Sequence, residues 1–333
     1  MKLHKLPLTS KITLGVLIAL GLVFIFGIWL INYSSIIVFG IPHMVGQLDP
    51  AWSPDEKFVA FECRYSYPTD GYDNISRNNP VWWESTREIC YVDMETQEFK
   101  RLTYGRYKLH PVWSVKGSEL MWQDYRSGLM GYDIQSGLIK ESDNYVEYYR
   151  KDNNLPKYAY LSPNKKYLIQ LVGQKDGLQG FDFSISENNK EIFKGDFLVS
   201  TDPAWSPDST LLALKKSNVD EQEIIFINLL TREMASLKVD RPVYFLSWSP
   251  DGAKLAFQAN ENLEVVRLQF KEKPFSCSII EKTPFILNGT IDKDVIWSPS
   301  GRYITFIKED SFPEIWLLDL RTGKQMPLIT NIK

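Results

Sequence analysis

The chain has 333 residues, 44% of them apolar, 14% aromatic and 24% charged, with a formal net charge of −3. That balance lacks the basic footprint of a nucleic-acid binder. Without low-complexity tracts or long single-sign runs, it also excludes a chain dominated by disorder.

The first element in chain order is an apolar stretch at residues 12–31, ITLGVLIALGLVFIFGIWLI, with no charged residue. As a helix it would be roughly 30 Å long, the thickness of a bilayer core. Lys2, Lys5 and Lys11 precede it, and no Lys or Arg comes after it before Lys57. The positive-inside rule therefore places residues 1–11 in the cytoplasm and the remainder on the far side of the membrane. Trp29 and Tyr33 stand where an interfacial belt would form. An uncleaved anchor is the expectation; the competing reading is a cleaved signal peptide, whose apolar region is usually shorter. Residues 32–44 read as a linker, and a globular region fills residues 45–333.

That region repeats itself. PAWSPDEKFVAFE begins at Pro50, and related strand–turn–strand units surround Ser114, Ser162, Ser206, Ser249 and Ser298. Consecutive index serines, starting from Ser53, lie 43 to 61 residues apart. A period in the forties with several short strands per unit marks a propeller, and six copies predict six blades. An apolar strand ends in Trp52, Trp113, Trp205, Trp248 or Trp297, with Leu161 in the third copy. Ser-Pro-Asp-Gly, intact at residues 249–252, then specifies a tight turn: Pro presets φ, Asp bonds back to the backbone and Gly takes φ > 0. Runs such as KLAF and YITF are apolar at consecutive positions, as required of a strand covered on both faces. Third strands come next, as in EIWLLDLRTG, and short fourth strands close each unit, as in KRLT. The predicted fold is all-β: a six-bladed β-propeller of four-stranded blades behind one N-terminal transmembrane helix.

The pattern P-x-W-S-P-D-G-x-x-L-A-F, with its later E-I-x-x-x-D-x-x-T-G and L-T, resembles the propeller repeat of TolB and its relatives over about residues 45–331. The resemblance implies a WD40-like propeller that binds proteins. It differs from TolB in placing an anchor where TolB has an N-terminal α/β domain. The second and third copies, WSVKG and LSPNK, depart most from the pattern.

Two groups of residues are candidates for a site. Asp49, His110, Asp202 and Asp294 each stand four residues before an index serine, with Tyr158 and Phe245 in the other copies. They are expected to begin the inner strands near the channel mouth, where carboxylates and an imidazole could hold a cation or a ligand amine. Asp before Pro also starts strands and turns for purely structural reasons. The second group is an insertion at residues 64–85, between the second and third strands of the first blade. It carries Tyr65, Tyr67, Tyr72, Trp82 and Trp83. Such aromatics anchor partners when exposed or fold back over the blade edge when not. Antiparallel strands place both groups on one face, opposite the Ser-Pro-Asp-Gly turns. A further aromatic stretch, NYVEYYRKDNN, falls on that face too.

Chemistry is sparse. Beyond His4 and His43 only His110 remains, and no Gly-x-Ser-x-Gly, HExxH or P-loop motif occurs. No catalytic residue, metal site or cofactor is expected. Cys63 and Cys90 lie on neighbouring strands and are the one pair that could bond, as a disulfide or as buried thiols; Cys277 is single. The sequence thus reads as a membrane-anchored, exported, non-enzymatic module binding an envelope or membrane-bound protein. The alternative is a carbohydrate-binding or carbohydrate-active propeller using carboxylates and aromatics near the channel.

Overall fold

The computed structural model describes residues 43–68, 83–105, 107–142, 159–174, 180–200, 203–216, 222–287, 291–309 and 312–329. The anchor expected at residues 12–31 lies outside them. The chain divides into two compact units, Met1–Met44 with Tyr65–Thr86 and Val45–Arg64 with Arg87–Lys333. The second unit carries the repeat.

The described residues form strands only, in six four-stranded antiparallel sheets. The first sheet holds β1 (His43–Trp52), β2 (Phe58–Pro68), β3 (Trp83–Asp93) and β4 (Phe99–Arg101). The second holds β5 (Lys108–Trp113), β6 (Glu119–Asp124), β7 (Gly128–Asp133) and β8 (Ile139–Glu141); the third, β9 (Ala159–Leu161), β10 (Tyr167–Gln174), β11 (Phe181–Glu187) and β12 (Lys190–Lys194). The fourth holds β13 (Ala204–Trp205), β14 (Leu211–Lys215), β15 (Gln222–Asn228) and β16 (Met234–Val239); the fifth, β17 (Val243–Trp248), β18 (Lys254–Ala259), β19 (Asn262–Glu272) and β20 (Phe275–Ile286). The sixth holds β21 (Ile291–Trp297), β22 (Tyr303–Glu309), β23 (Pro313–Asp319) and β24 (Gln325–Pro327). Within every sheet the strands pair in chain order.

The consecutive apolar residues behave as the two-faced reading requires. On β14, Leu212 and Leu214 enter a core shared with the third sheet, while Ala213 between them enters one shared with the fifth. On β18, Leu255 and Phe257 face the fourth sheet and Ala256 the sixth. Alternation along a strand normally sends every second residue to solvent; here both sides are apolar because a neighbouring sheet covers each.

The index serines have a role that the turn reading missed. The Ser249 hydroxyl accepts from the Lys254 N–H at 2.9 Å and donates to Asp251. The same pair of bonds recurs at Ser53, Ser162 and Ser206, with Asn164 replacing the aspartate in the third copy. Each serine is buried, so its hydroxyl must be satisfied locally. Three residues after it the backbone is left-handed in every copy: Glu56, Gly117, Lys165, Ser209, Gly252 and Gly301.

Contacts between sheets run through the same turns and tryptophans. The indole N–H of Trp113 donates to the Ala51 carbonyl, that of Trp248 to Ala204 and that of Trp297 to Ser247. In each case the acceptor is the residue before the tryptophan position of the preceding sheet. The sixth sheet meets the first by a relay: Trp52 donates to the Thr305 hydroxyl, which donates to the Ile296 carbonyl, one residue before Trp297. At the turns, Glu56 accepts from the Ser300 N–H and hydroxyl, and Ser209 accepts from the Asn164 N–H. The inner strands therefore run alike, and the last sheet bonds to the first.

Candidate functional site

Strand order places the connections between second and third strands, and those between successive sheets, on one face, with the Ser-Pro-Asp turns on the other. The exposed aromatic side chains among the described residues are Tyr104, Tyr107, Tyr125, Tyr244 and Phe312. All five sit on the connection face. Tyr104 and Tyr107 lie between β4 and β5, Tyr125 comes directly after β6, Tyr244 is the second residue of β17 and Phe312 precedes β23. The exposed apolar residues near the turn face are aliphatic: Val115, Leu138, Ile139, Leu230 and Met234. Neighbouring groups hold several of these rings. Tyr107 and Tyr125 are 6.0 Å apart between centroids. The Arg101 guanidinium lies 4.2 Å over Tyr104, and the Lys215 ammonium 4.2 Å over Tyr244. Burial of Lys215 lowers its pKa, in keeping with a cation partly withdrawn from water onto an aromatic face.

On the same face, β1 and β5 bring together two of the residues nominated from sequence. Nδ1 of His110 lies 2.7 Å from Oδ2 of Asp49, across 61 residues of chain. Neither residue begins its strand, contrary to the expectation from sequence. Asp49 is inside β1 and His110 inside β5, and both adopt left-handed φ, 53° and 55°. Phe245, the matching residue of the fifth sheet, has φ 56°. The pairing of β5 with β6 and of β17 with β18 slips at this point, so the inner strand bulges in each. A bulge re-aims side chains next to the sheet edge, and in β5 it goes with a His110 turned towards Asp49, which shares the left-handed backbone.

Glu62 of β2 completes the cluster, and sequence reasoning missed it. Its Oε1 accepts from the His110 N–H at 2.9 Å and lies 3.8 Å from Nδ1 of the same residue. Its Oε2 is 3.5 Å from Nη1 of Arg87. The side chain is only 3% exposed. Burial raises the Glu62 carboxyl above the usual range and the Asp49 charge adds to this, against the His110 N–H and Arg87, which favour the anion. Arg64 stands near both groups, its pKa lowered by burial and by Arg87. The signal in the sequence was a glutamate inside FVAFECR, a run that otherwise reads as apolar core. A carboxylate there needs a dedicated partner.

The remaining nominated residues fare differently. Asp202 lies outside the described residues, and Asp294 is described only as part of β21. The insertion is shorter than expected: β2 continues to Pro68 and β3 starts at Trp83, because the aromatic and β-branched residues at its ends extend the hairpin. Tyr65 and Tyr67 thus belong to β2 and Trp83 to β3, and Tyr65 is buried rather than presented to a partner. Tyr72 and Trp82 are outside the described residues. Flanking the insertion, Cys63 and Cys90 form a disulfide with Cα atoms 5.9 Å apart, both residues fully buried. Cys277 is free, and burial pushes its thiol up to about 12.

No protein family matches the chain, and no curated protein does. Among solved structures it is similar to TolB from Acinetobacter baumannii, with 11% identity over 72% of this chain and a TM-score of 0.43. The chain spans 59% of that TolB chain. It is also similar to a putative TolB from Agrobacterium tumefaciens (15% identity, 71% of this chain, 86% of that chain, TM-score 0.41). A third is an oligogalacturonate lyase in complex with manganese (12% identity, 86% of this chain, 77% of that chain, TM-score 0.43). TolB-type propeller proteins are thus among its structural neighbours.

Proposed function

We propose that the chain is a membrane-anchored, exported propeller that serves as a non-enzymatic binding module for an envelope or membrane-bound protein, engaged through the connection face. The observation that carries this reading is the segregation of exposed aromatics: Tyr104, Tyr107, Tyr125, Tyr244 and Phe312 share one face, and the exposed residues near the other are aliphatic. Tyr and Phe give large contact area at small entropic cost, and such residues dominate binding energy at protein interfaces. The Cys63–Cys90 disulfide supports an oxidising compartment. The lysines before residues 12–31 support export of the repeat region on the C-terminal side of that stretch. The carbohydrate reading draws on the Asp49–Glu62 pair. It is less well supported because the indoles closest in sequence, Trp52 and Trp113, are spent between sheets, bonding Thr305 and Ala51.

The test is site-specific photocrosslinking in intact cells, with a photoreactive residue at Tyr125 or Tyr244 and, as control, at Leu230 or Val115. A discrete protein adduct from the first two positions only is expected. Equal labelling from both faces, or none from Tyr125 and Tyr244, would remove the proposal.

A further inference from the structure

The geometry points to a divalent transition-metal site at Asp49, Glu62 and His110, joining the first and second sheets on the connection face. Ligand atoms of the three residues all lie within 4.8 Å of one another. An ion with bonds of about 2.0–2.2 Å to each holds its ligand atoms about 3.0–3.5 Å apart, so the 2.7 Å Asp49–His110 contact must widen and the 3.8 Å Glu62–His110 separation shorten, both within reach of small side-chain rotations. The donor set is one imidazole nitrogen and two carboxylate oxygens. That suits Zn²⁺ or Mn²⁺; Ca²⁺ and Mg²⁺ take oxygen alone, and copper(I) prefers sulfur.

The surroundings already orient the ligands. Glu62 divides its oxygens, Oε2 towards Arg87 and Oε1 towards His110, so Oε1 is turned into the cluster by its neighbours. Partners of this kind fix ligand direction at metal centres. His110 Nδ1 faces both carboxylates, at 2.7 and 3.8 Å. In binding, the ion would take the place of the proton on that nitrogen, and two carboxylates balance its charge. Access is from solvent: the His110 side chain is 47% exposed and that of Asp49 22%, whereas Glu62 forms the floor. Three protein ligands leave coordination positions open on the aromatic face.

The site is tested on the full-length chain in detergent by calorimetric titration with ZnCl₂ and with MnCl₂. Wild type is expected to take up about one ion of at least one of the two metals. Asp49→Asn and His110→Asn each should weaken uptake by at least tenfold while keeping the wild-type melting profile. Glu62→Gln supplies a third, buried variant. Absence of binding at submillimolar metal overturns the inference. So does uptake that is unchanged in both Asp49→Asn and His110→Asn, which would place the ion on His4, His43 or Cys277. Neither outcome bears on the crosslinking result, so the two proposals fail separately.

Discussion

Whether an indole N–H finds a carbonyl distinguishes the tryptophan positions of this repeat. Trp113, Trp248 and Trp297 each bond the preceding sheet, whereas Trp205 has a buried Nε1 with no partner among the described residues. Its counterpart acceptor would be the Tyr160 carbonyl, beside Leu161, in the copy that lacks tryptophan. The Ser209–Asn164 bond at the turn, 3.0 Å, joins those two sheets instead. Trp248→Phe should therefore cost about 1–3 kcal/mol, the penalty for orphaning a buried acceptor. Trp205→Phe removes no bond and should cost less, only the packing lost against Tyr167 and the core beside it. Urea unfolding of both variants compares them, and equal losses would contradict this account of the inter-sheet bonds.

Each Ser-x-Asp turn is a small electrostatic device. The Ser249 hydroxyl and the Ala253 N–H both bond the Asp251 carboxylate and lower its pKa. A depressed folded pKa contributes stability that is fully present above the unfolded value, about 3.9. It is lost as pH falls through the folded value. Asp251→Asn keeps the geometry, since Asn164 makes the same bonds from Ser162 and Lys166. The stability gap between wild type and Asp251→Asn should thus be constant at neutral pH and shrink below about pH 4. Urea melts across pH 2–7 measure it; a gap that widens on acidification would refute the assignment. The disulfide acts on the same scale, tying β2 to β3 at the base of the insertion.

At the scale of the whole molecule, the meeting of the sixth sheet with the first is a side-chain matter. Among the described residues every sheet is built from strands consecutive in the chain, and the first sheet takes none from the C-terminal end. What joins sixth to first is the Trp52–Thr305 relay, the stacking of Trp52 on Tyr303 at 6.0 Å, the Glu56–Ser300 bonds and the Ile315 N–H on Gln47. Pro313 also packs against Gly46 so closely that an added Cβ would lie 3.0 Å from its ring. Glu56→Ala and Thr305→Val should each destabilise by about 1 kcal/mol, the net worth of a typical hydrogen bond. Because both act on one seam, the double variant should lose more or less than their sum. Strict additivity in chemical denaturation would show that the seam does not act as a unit.

The number of sheets, their four strands and the tight turns were legible in the residues, because each depends on local chemistry: a period in the forties, consecutive apolar positions, and Ser-Pro-Asp with a left-handed residue after it. Asp49 and His110 could be nominated from their shared offset to the index serine. Their meeting at 2.7 Å could not be read, since it requires left-handed backbone at both residues, 61 positions apart, and a bulge in β5 at His110. Glu62 was invisible for a related reason. Inside an apolar run a glutamate looks like an exception, and only the neighbouring sheet supplies the His110 N–H and only the next strand the Arg87 that make its burial tolerable. The aromatic segregation was likewise concealed. A tyrosine in a loop and one in a strand read alike in sequence, and exposure is fixed by which sheet covers the ring: Tyr125 opens to solvent while Tyr65 is buried.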